Sequence, residues 1–123
     1  MHEAGAISLT KYQETLRRRE ARMQQHLEER KTRAWDVARH AAALLYDQFK
    51  ASRVVTFGSL VHGMWFSPTS DIDLAAWGIA DEDYFTAVAK LQDLAPEFKI
   101  DLVVMERCKP HLRQVIEREG VPL

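Results

Sequence analysis

Asp71-Ile72-Asp73-Leu74 carries the strongest chemical signal in the chain. Side chains alternate along a strand, so Asp71 and Asp73 leave one face while Ile72 and Leu74 bury on the other. Two carboxylates side by side raise each other's proton affinity. A divalent cation between them removes that conflict. An all-oxygen site suits Mg²⁺, which also takes phosphate oxygens from a nucleotide. An isolated Asp-x-Asp reads simply as the wet side of an edge strand, but two further features argue for more. Gly58-Ser59 ends the β-branched run Val54-Val55-Thr56-Phe57, where a turn can present backbone N–H groups and a hydroxyl to an anion. Asp101 lies between Ile100 and Leu102 in another apolar run, where an acid must face a polar site or water. If that strand neighbours the Asp71 strand, three carboxylates converge.

The elements that position these residues follow from periodicity. From Leu9 to about Phe49 there is no proline or glycine, which predicts helix, with Ser8 or Thr10 as its cap. Its first part has only a thin apolar stripe (Leu9, Tyr12, Leu16, Met23, Leu27) among many arginines, and reads as an arm that needs a partner. From Ala34 a broad apolar face (Val37, Ala38, Ala41, Leu44, Leu45) marks a core-facing helix. Strands are expected at 53–57, 71–77 and 98–105. Asp81 should cap a helix over about 82–94 with Tyr84, Val88, Leu91 and Leu94 inward. Pro110 should open a last helix with Leu112, Val115 and Ile116 inward, ended by Gly120. This order describes an α+β fold, a small mixed β-sheet with helices packed on it, preceded by a long N-terminal helix. We divide it into an arm, 1–33, and a domain, 34–123.

Composition bounds the function. The chain has 123 residues, 46% of them hydrophobic, enough for one modest core. No apolar run is long enough to cross a bilayer, and the first residues lack a signal peptide's pattern. A single cysteine, Cys108, excludes an internal disulfide and fits a reducing cytoplasm. The net charge of −1 argues against a DNA-coating protein, yet it hides a division. Residues 1–53 carry +4 and residues 54–123 carry −5, as if two faces had two tasks.

Phe57-Gly58-Ser59, eleven intervening residues and then Asp71-Ile72-Asp73-Leu74 resembles the signature of the DNA polymerase β-type nucleotidyltransferase superfamily. The small size, the Gly58-Ser59-x-x-x-Gly63 form and the ending Ile116-Glu117-Arg118-Glu119-Gly120 are similar to its smallest branch, the minimal nucleotidyltransferases (MNT, MntA-like antitoxins). The resemblance spans about residues 36–123. His62 stands where that branch commonly has arginine, and the spacer is a residue longer than usual.

The resemblance implies a nucleotidyltransferase fold and roles for named residues. Gly58 and Ser59, with Ser70, would bind the nucleotide. Asp71, Asp73 and Asp101 would be the catalytic carboxylates and would hold Mg²⁺, with ATP as substrate. It further implies an antitoxin paired with a HEPN-family RNase toxin encoded nearby, silenced by transfer of AMP to a tyrosine hydroxyl. Two alternatives stand beside this: a non-catalytic module that neutralises its partner by binding, and an adenylyltransferase of small molecules such as antibiotics. The arm is the candidate docking element for the toxin. Self-association into a homo-oligomer is comparable, and nucleic acid contact ranks third because acids dilute the arginines. Among the remaining residues, His62 reads as a solvent-facing loop histidine. Trp65 and Phe66 read equally as base-stacking or core-capping residues. Trp77 reads as core, and Cys108 as inert.

Overall fold

A computed structural model describes the backbone of residues 2–123 and the side chains of residues 8–123. The helix α1 runs unbroken from His2–Phe49, so arm and core segment are one rod of about 70 Å at 1.5 Å per residue. Ser8 and Thr10 therefore lie within the helix instead of capping it. Exposed pairs one turn apart, such as Gln24 with Glu28 and Gln25 with Glu29, each contribute a few tenths of a kcal/mol, about 0.2–0.5. Burial within α1 starts at Ala34. The helix stops where Lys50 turns to φ 57° and the Ala51 N–H reaches back to the Leu45 carbonyl at 3.1 Å.

Four strands follow: β1 (Arg53–Phe57), β2 (Ile72–Trp77), β3 (Ile100–Val104) and β4 (Val121–Pro122). Their spatial order is β3-β2-β1-β4; β2 and β3 are parallel and the other pairs antiparallel. The sheet is mixed, as expected. The second and third strands are shorter than expected, because pairing begins at Ile72 and Ile100. The strand β4 was not expected: two residues with a proline carry no periodicity. It forms because Leu123 donates to the Val54 carbonyl at 3.0 Å and accepts from the Tyr46 hydroxyl at 3.1 Å. That hydroxyl also accepts the Val54 N–H at 2.9 Å, which locks the chain end onto β1 and α1.

The helices α2 (Tyr84–Leu94) and α3 (Pro110–Glu119) complete the fold. A 3-10 turn, Asp81–Asp83, precedes α2, and Asp81 pairs with Arg107 instead of capping. Leu94 and Leu112 are exposed, contrary to expectation; Ala87 and Leu91 bury from α2, and Ile116 from α3. Strand alternation sorts the core into two layers. Val54, Ile72, Leu74, Ala76, Ile100 and Leu102 pack under α1 and α2. On the other face, Val55, Ala75 and Met105 meet Ile116 of α3, with Trp77 and Cys108 half-buried beside them. Among the described residues, no helix is long and apolar enough to cross a membrane.

Candidate active site

Asp73 and Asp101 are register partners in the parallel pair of β2 and β3, so their Cα atoms lie side by side about one inter-strand spacing apart, ~4.8 Å. Both are half-buried and flanked by fully or nearly buried residues: Ile72 and Leu74, Ile100 and Leu102. They therefore occupy the face that carries α3, beyond the end of its small apolar cluster. Asp71 sits just before β2, held there by the Ile72 N–H to the Lys99 carbonyl at 3.0 Å. Strand adjacency, the condition for convergence, is met: Asp73 lies beside Asp101, and Asp71 is near enough for its charge to act on Asp73.

The Asp73 carboxyl shows the consequence. Its pKa is raised from 3.8 to about 6, first by burial, then by the charges of Asp101 and Asp71; Lys99 only partly offsets them. Lys99 lies 3.9 Å from Asp101, a loose contact at the rim. The site is thus a place where negative charge is held against its own repulsion.

Gly58 closes on Asp73 from the next strand. It has φ +77°, and a Cβ there would stand 2.5 Å from the Asp73 Oδ2. Only glycine combines that backbone with that approach. The chain then enters a 3-10 turn, Gly58–Leu60, in which the Gly58 carbonyl accepts the N–H groups of Val61 and His62. Leu60 and Phe66 plug the loop into the main core, so Phe66 is a core residue, whereas Trp65 is exposed. Ser59 is half-buried beside Gly58. Ser70 is engaged differently: its hydroxyl accepts the Ser67 N–H at 2.8 Å and lies 3.2 Å from the Ser67 hydroxyl, which closes the turn leading into Asp71.

His62 is not a free loop histidine. Its Nε2 lies 3.0 Å from the Glu119 carboxylate in the last turn of α3, and its ring leans on Trp65 at 5.4 Å. Glu119 and β4 are the contributors that sequence reasoning missed. Neither has a local signal, since each acts through a segment about sixty residues away.

The chemistry of the donor set fits a hard divalent cation: three carboxylates, no sulfur or imidazole, and repulsion that a cation would relieve. Among the described residues, no group of three acids, histidines or cysteines is already gathered around a metal position. A cation of the Mg²⁺ type ordinarily takes one or two protein carboxylates and completes its shell with water and phosphate oxygens.

The sequence profile of the polymerase beta nucleotidyltransferase family matches residues 40–123. No curated protein sequence matches the chain. Among solved structures, a candidate minimal nucleotidyltransferase is 29% identical with a TM-score of 0.58, over 79% of this chain and 95% of that one. A toxin–antitoxin structure with AMP-PNP is 26% identical with a TM-score of 0.57, over 66% of this chain and 67% of that one. A complex of a tri-AMPylated Shewanella oneidensis HEPN toxin with its MNT antitoxin, 22% identical with a TM-score of 0.56 over 72% of this chain and 70% of that one, shares the fold.

Proposed function

This chain belongs to the polymerase beta nucleotidyltransferase family, and we propose that it is the antitoxin of a HEPN/MNT pair, moving AMP from ATP to a tyrosine hydroxyl of the toxin. The observation that carries this reading is the register pairing of Asp73 with Asp101 under Gly58, with Asp71 alongside. Similarity to a toxin–antitoxin structure holding AMP-PNP supports ATP as the nucleotide.

In this reading Gly58 and Ser59 receive the triphosphate, the glycine because its bare backbone leaves room above Asp73. Asp71 and Asp73 hold Mg²⁺, and Asp101 completes the set. When bound, the cation neutralises the phosphates and orients the transferred group. Asp101 orients the tyrosine hydroxyl and takes its proton as the oxygen attacks the α-phosphorus. The new O–P bond forms as the bond to pyrophosphate breaks, so the products are AMP-tyrosine and pyrophosphate. Ser70 serves by shaping the turn before Asp71, through its bond to Ser67. Residues 34–123 act as the catalytic domain, and residues 1–33 as an arm outside it.

A non-catalytic module of the same fold would neutralise its partner by binding alone, without transfer. Incubation with labelled ATP, Mg²⁺ and the neighbouring HEPN-family protein separates the two. Label on the toxin that is lost with Asp71→Asn/Asp73→Asn supports transfer. A toxin fully inhibited without label establishes inhibition by binding alone.

A further inference from the structure

The inner face of α1 does not end where the domain ends. At 100° per residue, Leu9, Leu16, Met23 and Leu27 lie on the same side of the helix as Ala34, Ala41 and Leu45. Leu27 is half-buried against the core, but Met23 is 68% exposed and Tyr12 61% exposed. Where the arm leaves the domain, two grooves of about 460 and 440 Å³ share Gln24 and Leu27. One reaches Met23, Arg30 and Pro68; the other reaches Met64 and Phe66, and Met64 is 97% exposed.

The arm's exit angle is held. Arg33 pairs with Glu97 at 3.1 Å, and the Arg30 guanidinium stacks 4.2 Å from the Phe98 ring centre. Phe98 and Lys99 lead into β3, so the arm springs from the end of the sheet that carries Asp71, Asp73 and Asp101. The loop that forms the outer wall of the grooves, through Met64 and Pro68, is the one that begins at Gly58-Ser59 and ends at Asp71. A body lying along this face would rest beside the site.

Charge selects the occupant. Residues 8–33 carry eight Lys/Arg against four Glu. Arg17 and Arg19 flank the stripe, with Glu20 inside it, so a second copy lying on this face would bring like charges together along a seam of only a couple of apolar heptads. Arg30, on the groove wall, reaches the Glu97 carbonyl only at 3.5 Å through its two terminal nitrogens, which are left able to take a stronger acceptor. A carboxylate arriving there would complete that guanidinium. We propose that this face docks an acid-flanked amphipathic helix of the protein substrate and thereby seats the substrate at the carboxylates. The inference rests on the transfer reading above, whose protein substrate it describes.

The test uses the full chain and the neighbouring HEPN-family protein as probe, with Leu16→Asp/Met23→Asp and Arg17→Glu/Arg19→Glu as variants. All four residues are exposed, so melting curves should match the parent. The expected result is a tenfold or greater loss of toxin affinity in the first variant. The second should lose severalfold and show a flatter salt dependence. Label transfer should show a raised KM for toxin at nearly unchanged kcat. Unchanged affinity and KM in both variants, with label still transferred, overturns the docking inference and leaves the functional reading standing. A chain that sediments as a dimer and becomes monomeric with Leu16→Asp/Met23→Asp assigns the face to a second copy and overturns it. So does binding of a labelled oligouridylate that Arg17→Glu/Arg19→Glu abolishes and the apolar variant retains. A toxin neither bound nor labelled by the parent defeats the functional reading itself, and the inference with it.

Discussion

On the face of the sheet that meets α1 and α2, strand side chains from Val54 to Leu102 are buried in one continuous core. On the opposite face, the α3 residue Ile116 meets a smaller buried cluster of Val55, Ala75 and Met105, with Phe57, Trp77, Val103 and Cys108 partly buried against it. There the start of β2 and β3 presents Asp73 and Asp101. Neighbouring residues of one strand thus serve opposite purposes. Leu74 is fully buried and contributes to folding; Asp73, one position earlier, is held at a raised pKa at an energetic cost. The contrast teaches that the period of two along β2 separates stability from chemistry, and that the thin cover of the α3 face is what leaves room for a site.

Substitutions at adjacent positions should pull this contrast apart. Leu74→Ala opens a cavity in the thick layer and should cost about 2–5 kcal/mol, read by denaturant unfolding. An effect below half a kcal/mol would mean the two layers are not distinct. Asp73→Asn should reduce label transfer at least a hundredfold, a loss of about 2.7 kcal/mol or more in transition-state stabilisation, without loss of folding. Gly58→Ala joins the two kinds of effect. Its Cβ meets the Asp73 carboxylate and its backbone is left-handed, so both stability, by about 1–3 kcal/mol, and transfer should fall.

The pH dependence tests the same contrast more finely. The Asp73 carboxyl binds its proton more tightly in the fold, near pH 6, than in the unfolded chain, near 3.8. Its ionisation therefore costs the fold stability; the penalty is complete above about pH 6 and is lost as pH falls from 6 toward 4. In chelator-containing buffer, Asp73→Asn should be more stable than the parent by about 1–2 kcal/mol at pH 8, a figure reduced for partial solvent screening, with roughly half of the difference left at pH 5 and most of it gone near pH 4. Added Mg²⁺ should stabilise the parent and not the variant. Glu97 has the opposite sign. Its pKa is lowered, by a bond to its own backbone N–H and then by Arg33, so its contribution weakens as pH falls below 4.5. The smallest effect lies outside both faces. Lys50→Gly removes the cost of a left-handed lysine after α1 and should raise stability by about 0.5–1 kcal/mol with transfer unchanged.

Much of this was legible before the structure. The three longer strands, the Pro110 start of α3 and the placement of Asp71, Asp73 and Gly58 at strand ends rest on short-range signals that survive folding. Where expectations failed, a distant partner had decided. Leu94 and Leu112 follow helical periodicity yet lie beyond the area the sheet can cover. Asp81 would cap a helix in isolation, but Arg107 claims it. His62 is held by Glu119, which no local pattern connects to it.

By itself, then, the sequence determined which side of each strand is apolar, where the chain must turn at Gly58, and that a helical stretch from Leu9 to about Phe49 passes from a thin apolar stripe to a broad one. These follow from alternation, from glycine's freedom and from the absence of breakers, all of which act within a few residues. That this stretch is one unbroken helix was decided by the structure. Only the tertiary structure decided that β3 lies parallel to β2 with Asp101 beside Asp73, that β4 closes the sheet, and that burial lifts the Asp73 pKa. Register and desolvation are set by packing between segments far apart in the chain. Their energies depend on what covers a residue, which local spacing does not encode.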